Sequence, residues 1–217
     1  TFPCSRKRTI TPDPCLQQLR NRPLPEAQRA KVEKPISERE VIHEIGTIAK
    51  AKSPGPDLLT GEFYQTFIDL VSLPLTDMLN ESHHIHSLPT TTTEGVINIL
   101  YKKGDPRELR NYRPLTMLNT DYKILTKVIN RRMASIIDHV VSPQQLGFVP
   151  GRVITEASHL TKLIQAYLDE TDEEGLLVAL DWEKAFDSIS WDYLHLALAA
   201  LNFGPYTRGW YSILYNH

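Results

Sequence analysis

The chain has 217 residues, 41% of them hydrophobic and 23% charged, with a formal net charge of −2 at neutral pH. That balance excludes a low-complexity or uniformly basic chain, and the length suffices to bury a core without disulfide or metal staples. Cys4 and Cys15 lack CxxC partners, which argues against a zinc ribbon and fits a reducing compartment, and no apolar run is long enough to span a bilayer.

The N-terminal stretch TFPCSRKRTI has no apolar core like that of a secretory signal, and its opening threonine marks the sequence as a piece of something longer. Six prolines among residues 1 to 35 predict an irregular segment, taken to end at residue 36. Ser37 followed by Glu40 is a capping box that opens a helix to about residue 50, with Val41, Ile42, Ile45 and Ile48 on one face. KSPGPD, 52 to 57, reads as a rigid turn. Helices are expected near 60–70 and 73–87, broken around Pro74 and ended by Pro89. HHIH, 83 to 86, has no third ligand at zinc spacing and reads as a helix end with solvated imidazoles.

A buried strand is expected over 95–101, then a basic hairpin or loop, with RPLTML as the returning strand. Asn119 is placed as the cap of a long amphipathic helix to about Val140, with Ile124, Leu125, Val128, Ile129, Met133, Ile136 and Ile137 at helical spacing. Arg131 and Arg132 read as its wet face, or as contacts to a nucleic-acid backbone. SPQQLGFVPGR is a turn-rich loop, and another helix covers about 155–169. Leu176–Leu180 reads as a buried strand delivering Asp181 at its tip, and Ser190 caps a last helix over 191–201. Helices outnumber a few non-local strands, so the fold class is α+β.

Charge is unevenly spread. Residues 102–152 hold ten Lys and Arg against four Asp and Glu, whereas 153–217 hold three against ten. A phosphate-gripping surface beside a metal-binding carboxylate site would have this pattern; two ordinary solvated faces would have it too. A carboxylate held by a rigid element with its head in a cleft is a hard oxygen ligand of the kind Mg²⁺ takes. An Asp that merely ends a strand reads the same way.

ALDWEKAFDSISW resembles motif A of reverse transcriptases from non-LTR (LINE-type) retrotransposons. KSPGPD (52–57), INILYKKGD (97–105), NYRPLTMLNTDYKILTKVINRRM (111–133) and PQQLGFVPGR (143–152) are similar to that family's successive motifs, in order, across roughly 37–217. The resemblance implies a right-hand polymerase fingers and partial palm over 37–217, helix-rich with a small antiparallel sheet. It implies an RNA-directed DNA polymerase using two Mg²⁺ ions, an RNA template, a DNA primer and deoxynucleoside triphosphates, with no membrane partner. By the same resemblance Asp181 is the catalytic metal ligand, joined by the backbone carbonyl of Trp182. Lys102 and Arg113 clamp the triphosphate, with Lys103 as the rival to Lys102. The backbone of Ala185 and the ring of Phe186, a steric gate against a 2′-hydroxyl, contact the nucleotide, and Asp187 has a supporting role. Gly147, Phe148, Gly151 and Arg152 lie along the template. The family's later ADD carboxylates and thumb are not in the sequence, so the 217-residue chain is expected to be an inactive fragment with a sticky strand edge at 176–180. A catalytically dead nucleic-acid-binding remnant is the alternative. The element's life cycle implies nucleus and cytoplasm; oligomeric state is not fixed.

Overall fold

The computed structural model describes residues 14–182, 185 and 188–215. The elements run α1 (Pro14–Arg20), α2 (Glu26–Val32), α3 (Glu38–Gly46), α4 (Gly61–Thr66), α5 (Ile68–His84), α6 (Thr90–Thr93), β1 (Gly95–Tyr101), a 3₁₀ turn (Leu109–Asn111), β2 (Tyr112–Leu118), α7 (Thr120–Ala134), α8 (Ile137–Val140), α9 (Thr155–Thr171), α10 (Trp191–Ala200) and α11 (Pro205–Tyr215). Helices dominate, and among the described residues β1 and β2 form one small antiparallel sheet. The chain divides into two compact units, one of Ala30–Met133 with Pro205–His217, the other of Thr1–Arg29 with Ala134–Gly204.

The first unit holds the larger apolar core. Val41 and Ile45 of α3, Leu75 and Leu79 of α5, Ile124, Leu125, Val128 and Ile129 of α7, and Trp210 and Ile213 of α11 are buried together. Each such side chain withdrawn from water stabilises the fold by about 1.5–3 kcal/mol before chain entropy is counted. The capping box at the start of α3 is present: Glu40 accepts from the Ser37 N–H at 2.9 Å and from the Ser37 hydroxyl at 2.7 Å.

Arg132, read from sequence as solvated or nucleic-acid-facing, is instead a structural hub whose side chain is 9% exposed. Its guanidinium donates to both Glu40 oxygens, at 2.7 and 2.8 Å. It also donates to the carbonyls of Lys34 at 2.6 Å and Pro35 at 2.8 Å, tying the strap before α3 to the end of α7. Burial opposes ionisation of Glu40, but the Arg132 and Ser37 hydrogen bonds outweigh it and hold the carboxyl down at about 2. Arg131, itself half-exposed, pairs with the buried Glu44. The imidazole of His83, expected in solvent, stacks on Tyr206 with ring centroids 4.0 Å apart and donates through Nε2 to the Tyr206 carbonyl at 2.9 Å. Gly209 leaves that ring its space, since a Cβ there would stand 2.7 Å from His83 Nε2.

In the second unit α1 packs on α10, burying Leu16 and Leu198. The Leu24 N–H donates to the Leu201 carbonyl at 2.8 Å, and Asn202 accepts from Arg29 at 3.1 Å. Ser190 caps α10 as expected, its Oγ accepting from the Tyr193 N–H at 3.4 Å. No residue of α9 is buried.

Several expectations are corrected. The proline-rich segment contains α1 and α2, because Pro14 starts one helix and the Pro25 carbonyl accepts the first N–H bonds at the head of the other, at 2.9 Å from Gln28 and Arg29. α5 runs through Pro74, and the break falls at Phe67 instead. α7 stops at Ala134 and α11 was not expected. The strand at 95–101 forms and RPLTML lies in its partner, but β1 is exposed along its whole length, since a two-stranded ribbon lacks a layer to cover it. Residues 176–180 carry no regular secondary structure, and Leu176 and Leu180 are 89% and 82% exposed. A strand exists through its pairing, and no described segment pairs with this one.

The Arg132–Glu40 pair makes a pH prediction. Because the Glu40 carboxyl is depressed to about 2 from its ordinary 4.5, the unfolded chain takes up this proton first. Stability contributed by the pair is therefore complete above pH 4.5 and lost as pH falls toward 2. Urea midpoints measured across this range should fall less steeply in Glu40→Gln than in the parent. Arg132→Ala, which strands the carboxylate, should cost about 3 kcal/mol at neutral pH.

Candidate functional site

The hairpin is paired in the register Tyr101 with Tyr112 and Leu100 with Arg113. Beyond the strands the ladder gains one more bond, from the Lys102 N–H to the Asn111 carbonyl at 2.9 Å. Side chains alternate faces along a strand, so Leu100 and Arg113 share one face while Tyr101 and Tyr112 share the other, and the added bond carries the ladder one residue on, to Lys102 on the Leu100 face. The opposite face is fixed by the Tyr101–Tyr112 pair, rings edge to face with centroids 5.6 Å apart. The turn is built by its own polar groups. The Tyr101 hydroxyl donates to the Gly104 carbonyl at 2.5 Å, the Tyr112 hydroxyl to the Pro106 carbonyl at 2.8 Å, and the Asn111 amide to the Asp105 carbonyl at 2.8 Å. Gly104 takes φ 93°, a conformation that disfavours any side chain. Lys102 and Arg113 are both exposed.

Asn119 seats the other end of the ribbon. Its amide donates to the Thr91 carbonyl at 2.7 Å, and its Oδ1 accepts from the Asp57 N–H at 3.2 Å. The side chain therefore serves the KSPGPD loop and α6, not the cap of α7 that sequence implied. Gly55 is required there, because a Cβ would lie 2.1 Å from Asn119 Oδ1. The Thr120 hydroxyl adds a bond to the Leu59 carbonyl at 2.7 Å.

The loop carrying Gly147, Phe148, Gly151 and Arg152 lies between α8 and α9. Phe148 has φ 62° and is 96% exposed, and Gly151 has φ 81°. Neither Gly147 nor Gly151 has a neighbour within 4 Å of where a Cβ would stand, so their backbone is open to close approach. The guanidinium of Arg152 is turned into the loop. It donates to the carbonyls of Ser142 at 2.5 Å and Gln145 at 2.7 Å, and to Asp138 at 2.9 Å.

Asp181 and Trp182 are exposed and lie in a stretch without regular secondary structure, as does the exposed Ala185 in a turn. Phe186 and Asp187, with Glu183 and Lys184, lie outside the described residues. Among the described residues no three His, Cys, Asp or Glu side chains converge as a metal site would require. The structure thus brings Lys102 and Arg113 to one face and gathers the four loop residues. It leaves Asp181 on an irregular segment. Sequence reading missed Asn119 as a loop anchor; its place one residue before α7 hid a long-range role behind a capping pattern.

A family model described as reverse transcriptase (RNA-dependent DNA polymerase) matches residues 101–217, more than half of the chain. The chain belongs to the reverse transcriptase family. It is 35% identical over 207 residues to the transposon TX1 uncharacterized 149 kDa protein of Xenopus laevis, covering 95% of this chain and 16% of that protein. It is 28% identical over 178 residues to a probable RNA-directed DNA polymerase from transposon BS of Drosophila melanogaster, covering 80% of this chain and 19% of that one. A probable RNA-directed DNA polymerase from transposon X-element of the same fly is 27% identical over 160 residues, 71% of this chain and 17% of that one. The resemblance read from the motifs is therefore borne out at the level of transposon reverse transcriptases. The chain spans less than a fifth of each of these relatives. No helix among the described residues is long and apolar enough to cross a membrane.

The Arg152 network predicts that Arg152→Gln frees the 141–151 loop. Limited proteolysis should cut there several-fold faster, while the unfolding free energy from urea titration stays within about 0.5 kcal/mol of the parent. Asn119→Ala should behave differently, lowering global stability by about 1–3 kcal/mol because the bonds that the buried carboxamide makes to the Asp57 N–H and the Thr91 carbonyl are lost.

Proposed function

We propose that the chain is the fingers and part of the palm of a transposon-encoded RNA-directed DNA polymerase. In the complete enzyme it would hold an RNA template, a DNA primer and a deoxynucleoside triphosphate. The observation that carries this reading is that Lys102, Arg113, Gly147, Phe148, Gly151, Arg152, Asp181 and Phe186 all fall within the matched range 101–217.

The hairpin would grip the triphosphate. A forked, permanently charged guanidinium and a mobile ammonium on one face can neutralise a leaving pyrophosphate together. Lys102, whose N–H extends the ladder to the Asn111 carbonyl, continues the alternation toward the face of Arg113, which supports it in this role; Lys103 lies beyond the paired residues. The exposed Phe148 and the open backbone at Gly147 and Gly151 suit a surface that lies along a template strand. Arg152, with its donors turned to the loop, would act chiefly by shaping that surface.

Asp181 and the Trp182 carbonyl are hard oxygen donors of the type Mg²⁺ takes, and they are fewer than the six such an ion needs. Two bound Mg²⁺ ions would stabilise the attacking and departing oxygens of nucleotidyl transfer. The backbone of Ala185 and the ring of Phe186 would line the sugar side of the nucleotide. The exposed apolar run 176–180 and the exposed leucines of α9 are surfaces that further parts of the complete enzyme would cover.

Nucleotide binding by this chain tests the reading. Lys102→Ala and Arg113→Ala should each weaken binding of a labelled deoxynucleoside triphosphate at least about tenfold, a loss of about 1.4 kcal/mol, with Lys103→Ala close to the parent. Equal losses at all three would reduce the hairpin to a general basic patch. The 217-residue chain by itself should extend no primer; metal-dependent extension on an RNA template would contradict the assignment of its carboxylates.

A further inference from the structure

We propose that the outer face of α5 is a docking surface for a basic amphipathic helix carried by a separate protein. α5 sends Leu75 and Leu79 into the core of the first unit. On its opposite side Phe67, the residue that leads into the helix, Leu70 and Leu73 follow one another at three-residue spacing and are between 44% and 72% exposed. Large apolar side chains scattered singly over a surface need no explanation, but three in one row form a patch. Asp77 and Glu81 continue the row one and two turns after Leu73, and Asp69 flanks it. All three acids are exposed, and among the described residues none of them forms an ion pair.

Charge and hydrogen-bonding capacity specify what can cover this face. Residues 53–101, which contain α4, α5, α6 and β1, hold six Asp and Glu and no Lys or Arg. Such a stretch repels a polynucleotide. Pro74 lies inside α5 and has no N–H, so the Leu70 carbonyl, in the middle of the apolar row, lacks the donor one turn on that a helix normally supplies. Carboxylates and an open carbonyl accept hydrogen bonds and donate none. The occupant must therefore bring cationic donors together with apolar side chains at helical spacing, its own row packing on Leu70 and Leu73 while Lys or Arg reach the acids. Three carboxylates beside three apolar side chains also make the face too polar for a permanently buried seam, which is more apolar, and suit a partner that binds and leaves.

This docking face goes beyond the polymerase reading and does not rest on it, since none of the residues assigned to triphosphate, template or metal lies on α5. The test is fluorescence anisotropy of a labelled amphipathic Leu/Lys helix titrated with the whole chain, beside the same peptide with Glu in place of Lys. The parent is compared with Leu70→Gln/Leu73→Gln, with Asp69→Asn/Asp77→Asn/Glu81→Gln, and with a control, Asp169→Asn/Glu170→Gln/Glu174→Gln, that removes the same charge from another exposed stretch. Each α5 variant should bind the Lys peptide at least about tenfold more weakly than the parent, and the control should stay within about twofold of it. Affinity of the parent should fall as salt rises, and the Glu peptide should bind none of the chains. Every substituted side chain is exposed, so all variants should melt like the parent. Equal losses in the control and the α5 charge variant, a Glu peptide that binds as tightly as the Lys peptide, or a parent that binds neither, each overturn the docking face. Sedimentation of the parent alone is the second measurement. Self-association that the α5 variants abolish would make a second copy the occupant, seated through its own basic ribbon, and the assignment to a separate protein fails.

Discussion

A buried asparagine holds together the segments on which the candidate site stands. Asn119 is 3% exposed and links three segments far apart in sequence: the KSPGPD loop through the Asp57 N–H, α6 through the Thr91 carbonyl, and β2, which ends one residue before it. A buried carboxamide is tolerable only when its donors and acceptor are met, so the three segments are held together by the cost of leaving it unmet. Gly55 completes the fit, since no side chain would pass the Asn119 oxygen. With Thr120 bonded to the Leu59 carbonyl, the start of α7 becomes the floor on which the loop sits and from which the ribbon projects.

That arrangement explains why an exposed ribbon can present charged groups in a set order. β1 and β2 bury little, and a free two-stranded hairpin is marginal in water. Here its base is anchored by the segment around Asn119, and its turn is closed by tyrosine hydroxyls and the Asn111 amide. The alternation of the strands then sorts its side chains, tyrosines to one face, Lys102 and Arg113 to the other. Arg132 and Glu40 do comparable work at the far end of α7, pinning the strap that leads into α3. Basic residues in this unit thus divide by partner: Arg131 and Arg132 are paired with Glu44 and Glu40, while Lys52, Lys123 and Lys127 border open space.

What sequence could reveal followed from how local each signal was. The capping box at Ser37 and Glu40, the apolar stripe of α7, the returning strand after the basic turn and the Ser190 cap all depend on residues within a few positions of one another, and each is present. α1, α2 and α11 were missed because proline was read as a breaker, although at or just before the first turn it costs no hydrogen bond. The reading of 176–180 as a buried strand failed for the opposite reason. Its apolar pattern is real, but burial and pairing belong to neighbours, and no local pattern can supply them. The roles of Arg132, Arg152 and Asn119 were equally hidden, since their partners lie many residues away or are backbone carbonyls. At the candidate site the motifs carried the family and the named residues; the register that sets Leu100 opposite Arg113 came only with the fold.

The central claim is that Asn119 joins the ribbon and the KSPGPD loop into one support for a triphosphate-gripping face. Hydrogen–deuterium exchange of the parent and of Asn119→Ala, each with and without a saturating deoxynucleoside triphosphate, measures this most directly. The account predicts that the triphosphate slows exchange along 100–113 in the parent, and that Asn119→Ala speeds exchange at both 52–59 and 100–113 and removes most of that slowing, with the backbone of α5 unchanged. Slowing confined to α9 or α10, or an Asn119→Ala chain that exchanges like the parent at both segments, would contradict it.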